Sequence, residues 1–267
     1  MIDVHANAVV DKNAELADGV KVGPNAIIES GAVIGENTQI GANAYIGRDV
    51  RIGKNNTLFP GCFIGCRPQI LGATDDSPRG KLVIGDGNTI REMATIHPSM
   101  HEKAETVVGN NNLIMVGVHI GHDCVLDDNI VMSNSTQLSG HCKVEKGVWL
   151  SGMVAVHQFT TIGKWAYAAG LTGINRDIPP FLLISGHYPS LVRGINERGM
   201  NRAGLNDEEK ESVTKAYKML YRQGGALAEN ARKLAAEDGL DKNVRAMVDS
   251  ILNSDKQRFG RYLELFR

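Results

Sequence analysis

Aliphatic side chains recur at every sixth residue from Val4 through Val10, Leu16, Val22, Ile28, Ile34, Ile40, Ile46, Ile52, Leu58, Ile64 and Ile70. The series shifts by two, resumes at Ile84, Ile90 and Ile96, and continues from Val108 to Ile162, with Ala168 and Ile174 beyond. Glycine often follows the aliphatic, as at Gly23, Gly47 and Gly121, and a small residue stands four places on, as at Ala26, Cys62 and Val118. A helix of 3.6 residues per turn cannot gather such a series on one face. Hexads of this form are a parallel β-helix signature, each making one short strand and a turn. Three make a triangular coil of about eighteen residues. The 27 positions make about nine coils. The expected fold is an all-β left-handed parallel β-helix, a hexapeptide-repeat solenoid, which departs from the usual right-handed crossover. Aromatic residues make up only 5% of the chain against 30 glycines, as a core of small and branched residues requires.

Two polar stretches interrupt the repeat, at 71–82 and 97–106, and insertions into a solenoid become loops on one face, where function often resides. The hexads stop after Asn175, and Pro179-Pro180 marks a boundary. Beyond it the spacing turns helical. Asn206 with Glu209 three residues on reads as a capping box. Val213, Ala216, Tyr217 and Leu220 form an apolar stripe ended by Gly224, and two more helical stretches follow near Leu227–Glu237 and Lys242–Ser254. The expected division is a β-helix over 1–190 and a C-terminal α-helical domain over 191–267, closing the solenoid's last coil.

A net charge of −1 provides no field for nucleic acid, and no polybasic tail marks a membrane surface. The start lacks a basic stretch followed by an apolar run, so no signal peptide is expected, and no run of 18 apolar residues would span a membrane. Cys62, Cys66, Cys124 and Cys142 contain no CxxC pair, which points to a reducing, cytoplasmic location.

Eighteen-residue coils place Ile120, Leu138 and Val156 above one another, about 4.8 Å apart. His119, His122, His141 and His157 surround them, so four of eight histidines gather beside one corner. Three readings are open: a metal site, a hydrogen-bonded structural stack, or a general base with substrate-contacting neighbours. No serine or cysteine nucleophile stands beside the cluster, which favours direct transfer, with Cys124 and Cys142 as core filler.

The strings HIGHDCVLDDN at 119–129, SGHCKV at 139–144 and AVHQF at 155–159 resemble the UDP-N-acetylglucosamine O-acyltransferases that begin lipid A biosynthesis. So do DIPPF at 177–181, GINERGMNRAGL at 194–205 and AYKMLYRQGG at 216–225, and the resemblance runs from about residue 1 to residue 225. It implies transfer of a 3-hydroxyacyl chain from acyl carrier protein to the glucosamine 3-hydroxyl of the UDP-sugar. It further implies a homotrimer with active sites between prisms, no metal, and no cofactor beyond the carrier-bound thioester. By the same resemblance His122 corresponds to the general base, with Asp123 placed to orient or polarise it, although alternation along a strand does not by itself bring the two into contact. The Gly140 amide matches the oxyanion donor. His119, His141 and His157 match substrate contacts, Gln69 matches a residue of the first loop, and Gln158 a contact near the nucleotide. Asn196 and Arg202 match residues near the diphosphate, and Gly170 the position that limits acyl length, where glycine leaves room for a chain of around fourteen carbons.

The acceptor side departs from the pattern. Ile70 and Gly72 stand where an aspartate and a lysine are familiar, with Arg79 or Lys81 as possible substitutes for the cation. Arg198 replaces a glutamate and Ala203 an arginine. Acylation of a 3-amino analogue, or of another nucleotide sugar, is one alternative; a solenoid scaffold without catalysis is another. Lys218, Arg222 and Arg232 could meet an acidic carrier protein. A regular, weakly charged face around Val116–Val118 and Met132–Asn134 invites pairing with a second copy.

Overall fold

The structure, a computed structural model, describes residues 1–74, 77–187 and 189–266. The expected loop at 71–82 therefore lies partly outside the described residues.

Two-residue strands such as Thr95–Ile96 and His119–Ile120 wind around three sheets of eleven, nine and eight strands. Every pairing between coils is parallel: His119 lies beside Gln137, and Ile120 beside Leu138, eighteen residues on. The second residue of each two-residue strand is the hexad aliphatic and, from Val22 onward, is buried; Ile64, Ile90, Ile96, Ile114 and Ile120 are wholly buried. Burying one such side chain contributes about 1.5–3 kcal/mol. The small residues before each strand, among them Ala26, Cys62, Val118 and Cys124, fill the remaining interior. Val118 and Met132, expected on a docking face, are also inward, while Val116 is exposed.

The hexads end sooner than the spacing predicts. Phe63–Ile64 is the last strand before the first insertion, and Ile70 lies in no strand. The first insertion therefore starts earlier than expected, and both insertions end two residues sooner, because Lys81–Ile84 and Glu105–Val108 are already strands and pair along their full length. Each insertion leaves the solenoid at the same corner, between the second and third sheets, on consecutive coils. They clamp one another there: the Gly80 amide donates to the Ser99 carbonyl at 2.9 Å and the Ser99 amide to the Lys81 carbonyl at 3.2 Å. A Cβ at Gly80 would strike the carbonyls of His101 and Ala104 and come within 2.8 Å of the Ser99 Cβ. Only glycine permits this closeness.

Past Asn175 the first sheet continues, which the hexad count did not anticipate. Leu182–Ser185 adds parallel to Tyr167–Ala168, and Leu191–Ile195 folds back antiparallel upon it. Four helices follow: α1 (Glu197–Arg202), α2 (Asp207–Tyr221), α3 (Leu227–Ala235) and α4 (Lys242–Ser254). Helix α2 starts at the full Asn206–Glu209 capping box and buries Val213, Ala216, Tyr217 and Leu220. Helix α1 is too short to show a periodicity. The helices are tied to the last coil through Asp177, whose carboxylate accepts from the Thr161 amide at 2.7 Å, the Ser254 hydroxyl at 3.0 Å and the Tyr262 amide at 2.8 Å. Among the described residues no helix is long and apolar enough to cross a membrane.

Candidate active site

The corner between the second and third sheets carries five consecutive turns of unlike content. From one end to the other these are the first insertion, the second insertion, His122–Asp123, Gly140–His141 and His157–Gln158. Asp123, His141 and Phe159 repeat at the coil spacing, and all three hold the left-handed backbone conformation, with φ of 59°, 60° and 63°. That conformation is uncommon for residues other than glycine, and among them asparagine, aspartate and histidine adopt it most readily. It turns His141 and Phe159 into one stack, their rings parallel within 9° and 4.5 Å apart.

His122 and Asp123 sit in this turn and not on a strand, so strand alternation does not separate them. The His122 Nδ1–H donates to Asp123 Oδ2 at 2.7 Å. This tautomer leaves Nε2 as the free basic nitrogen. Asp123 is gripped from the second insertion: the Ser99 hydroxyl donates to Oδ1 and the Met100 amide to Oδ2 at 3.2 Å. Its own amide donates to the Thr106 hydroxyl at 2.8 Å, and His141 Nε2 lies 3.8 Å from Oδ2. Burial pushes this carboxyl up, but hydrogen bonds from His122, Ser99 and Met100, with the nearby His141, outweigh it and hold the group down at about 2. Asp123 is thus an anion at neutral pH.

Gly140 packs against the His122 ring. A Cβ there would lie 2.6 Å from Cε1, 2.7 Å from Nε2 and 3.0 Å from Nδ1 of His122. The Ser139 and His141 amides are bonded to the Val156 and His122 carbonyls. The Gly140 amide between them donates to no acceptor among the described residues.

His119 hydrogen-bonds the Thr95 hydroxyl through Nδ1 at 2.9 Å. Burial, with His97 and His122 nearby, pushes it down to about 4, so it is neutral at pH 7. His97, absent from the expected cluster, lies with its ring 5.1 Å from that of His119. Its Nδ1–H donates to the carbonyls of Cys66 (3.0 Å) and Arg67 (2.8 Å), pinning the root of the first insertion that carries Gln69. His157 shares the corner, its Nδ1 3.0 Å from the Gln158 carbonyl. Gln69 and Gln158 are exposed.

The other expected residues lie elsewhere. Gly170 is exposed at the corner between the first and second sheets, where a Cβ would meet only the Gly152 carbonyl at 3.4 Å. Asn196 and Arg202 lie near the third corner. Asn196 is buried and caps α1, accepting from the Gly199 amide at 3.0 Å and donating to the Trp165 carbonyl at 2.8 Å, so both ends of its side chain are engaged. The Arg202 guanidinium lies 5.4 Å from the rings of both Trp149 and Trp165. Arg79 donates to the carbonyls of Gly65 and Arg48, and Arg198 is exposed.

Ser99, Met100, Thr106, His97 and Phe159 were not found from spacing. The second insertion stretches the coil interval to 24 residues, so that Thr95 lies beside His119. Counting across it by 24 would have aligned Ser99 with Asp123 and shown the contact. A cavity of about 690 Å³ lies away from this corner, between the last coil, the antiparallel pair and the helices.

Comparison with known proteins agrees across the chain. The family model described as "Udp N-acetylglucosamine O-acyltransferase; Domain 2" matches residues 177–259, and the bacterial transferase hexapeptide model matches 2–35 and 31–66. The acyl-[acyl-carrier-protein]–UDP-N-acetylglucosamine O-acyltransferase of Halorhodospira halophila is 40% identical over 96% of this chain and 98% of its own. The protein of that name from Paraburkholderia phymatum is 42% identical over the same shares. The solved UDP-N-acetylglucosamine acyltransferase of Francisella novicida superposes with a TM-score of 0.89 at 37% identity, covering 96% of this chain and 92% of that one.

Proposed function

The chain belongs to the acyl-[acyl-carrier-protein]–UDP-N-acetylglucosamine O-acyltransferases, which carry out the first step of lipid A biosynthesis, and on that premise we propose that it transfers a 3-hydroxyacyl group by direct attack with His122 as general base. The observation that carries this reading is the Asp123–His122–Gly140 arrangement.

His122 Nε2 takes the proton from the sugar 3-hydroxyl as its oxygen attacks the thioester carbonyl. The Nδ1–H stays on His122 and keeps its hydrogen bond to Asp123, whose negative charge favours the resulting imidazolium. The Gly140 amide, free of an internal acceptor, donates to the developing oxyanion; one such donor contributes about 3 kcal/mol in a transition state. When the carbonyl re-forms, the carrier's thiolate leaves and takes the proton held on Nε2. His119, His141 and His157 line the acceptor, with His119 neutral and able to accept or donate one hydrogen bond. Gln69 and Gln158 reach toward the nucleotide sugar from the two ends of the row of turns. Arg202 meets the diphosphate as a forked cation. Asn196 serves the same end indirectly, by fixing the turn that starts α1.

The chain acts as a homotrimer in the cytoplasm. Three expected groups occupy three corners of one prism, and a neighbouring copy can bring the corner of Gly170 against that of His122. The exposed apolar turn residues Met93, Val116, Met153 and Leu171 on that second corner favour contact with a partner. Residues 1–190 then hold the chemistry and the acyl groove, and 191–267 the nucleotide end and the surface met by acyl carrier protein, with Lys218, Arg222 and Arg232 facing its acidic side.

The test is acyl transfer from a series of 3-hydroxyacyl carrier proteins to UDP-N-acetylglucosamine and to its 3-amino analogue. Turnover on the hydroxyl sugar, abolished in His122→Ala, is the expected result. Turnover on the amino sugar alone would transfer the reading to amide formation, which the changed loop residues Ile70 and Gly72 favour by removing an acid and a base.

A further inference from the structure

We propose that His101, Asp123 and His141 form a binding site for a zinc-class divalent cation whose occupancy turns the His122–Asp123 pair off. The three ligand atoms lie within 4.8 Å of one another, although their residues come from three separate turns. Around a tetrahedral zinc ion, with metal–ligand bonds near 2.0–2.2 Å, neighbouring ligand atoms are about 3.4 Å apart. Closure therefore needs a movement of little more than an ångström.

Two of the three ligands are already placed. Asp123 is held by Ser99, Met100 and Thr106, and His141 by its stack on Phe159. Hydrogen bonds of this kind orient the groups that hold a metal. His101 is exposed, with its ring 6.0 Å from that of His141 and its amide anchored to the Ser99 hydroxyl at 2.9 Å. Two imidazoles and one carboxylate suit zinc, cobalt or nickel, with a position left for water.

The ion and the base share an atom. Asp123 Oδ2 accepts from His122 Nδ1 and is also the carboxylate oxygen nearest His141. A cation on this oxygen competes for it with the His122 Nδ1–H and so loosens the hydrogen bond that orients the His122 ring. The binding half of the inference rests on geometry alone; the inhibitory half rests on His122 acting as base.

The full chain, freed of metal with EDTA, would be titrated with Co²⁺ and followed by visible absorption, then with Zn²⁺ in competition. Acyl transfer would be measured at the same ion concentrations. The expected result is one ion per chain, a four-coordinate cobalt spectrum bleached by zinc, and inhibition that follows occupancy and is reversed by EDTA. His101→Ala should raise the zinc concentration needed for both effects by about tenfold or more, with the metal-free rate unchanged. His101→Gln, which keeps a polar side chain of similar reach, should behave alike and guards against damage peculiar to alanine. Failure of the wild type to bind, equal affinity in the His101 variants, or full turnover by the occupied protein would each overturn the proposal. The cobalt spectrum does not depend on catalysis. Failure of the acyl-transfer reading, seen as an active His122→Ala protein, is therefore distinguishable from failure of the metal site.

Discussion

Two corners of the same prism are built from the same hexad yet differ in nearly everything that faces out. Between the second and third sheets the turns hold the insertions, His122, Asp123 and His141; between the first and second they hold Met93, Met153 and Leu171, all left-handed and all exposed. The inward residues are interchangeable aliphatics on both sides. The repeat therefore sets where a turn lies, and the two or three residues inside it set what the corner does.

The sharpest way to break the comparison is to empty the polar corner. His122→Ala should lower kcat/KM by about 10²–10⁴-fold, the usual worth of a general base, with an unchanged thermal transition. If the variant keeps wild-type turnover, the polar corner is not catalytic. Gly140→Ala should cost about 10²–10³-fold, because its Cβ displaces the His122 ring and disturbs an oxyanion donor. Ser99→Ala removes one of several donors to Asp123 and should cost roughly tenfold in kcat with little change in KM, since one hydrogen bond to a charge contributes about 1.5–3 kcal/mol at most.

The apolar corner should answer differently. Gly170→Met has room for its Cβ and should leave folding intact while shifting preference to shorter acyl chains, measured by competition between carrier-bound chains of different length. Unaltered preference would remove Gly170 from the acyl groove. The smallest effect concerns pH. His119 is pushed down from 6.5 to about 4 in the fold, so the unfolded chain binds the extra proton first as pH falls. Stability should decline as pH falls from about 6.5 to 4, and His119→Gln should flatten that part of the curve, measured by denaturant midpoints across pH.

Periodicity exposed the buried half of the molecule because the core demands it of every coil. The α2 capping box was equally legible, since Asn206 and Glu209 act within one turn of chain. The site was legible in part. His119, His122 and His141 fall on regular coils and could be stacked by counting. Ser99 and His97 lie in an insertion that stretches the coil interval from 18 to 24 residues, so a count by eighteen does not bring them to Asp123 and His119. Ile70 was misread because an aliphatic at the right interval looks the same whether a strand or a loop carries it. The role of Gly140 against the His122 ring depends on a contact across coils that no local rule records.

Because His119 and Gln137 lie side by side eighteen residues apart, each functional turn has an angular phase as well as a height. Loss of six residues from an early coil would carry everything before it one face around the prism and set strands of one sheet against those of another. Loss of eighteen would shorten the column and leave every later turn in phase. Length changes in this gene are therefore quantised: the coils below the insertions can vary by whole turns, while the stretch from Thr95 to Phe159, where four turns must be presented together, admits no change of phase at all.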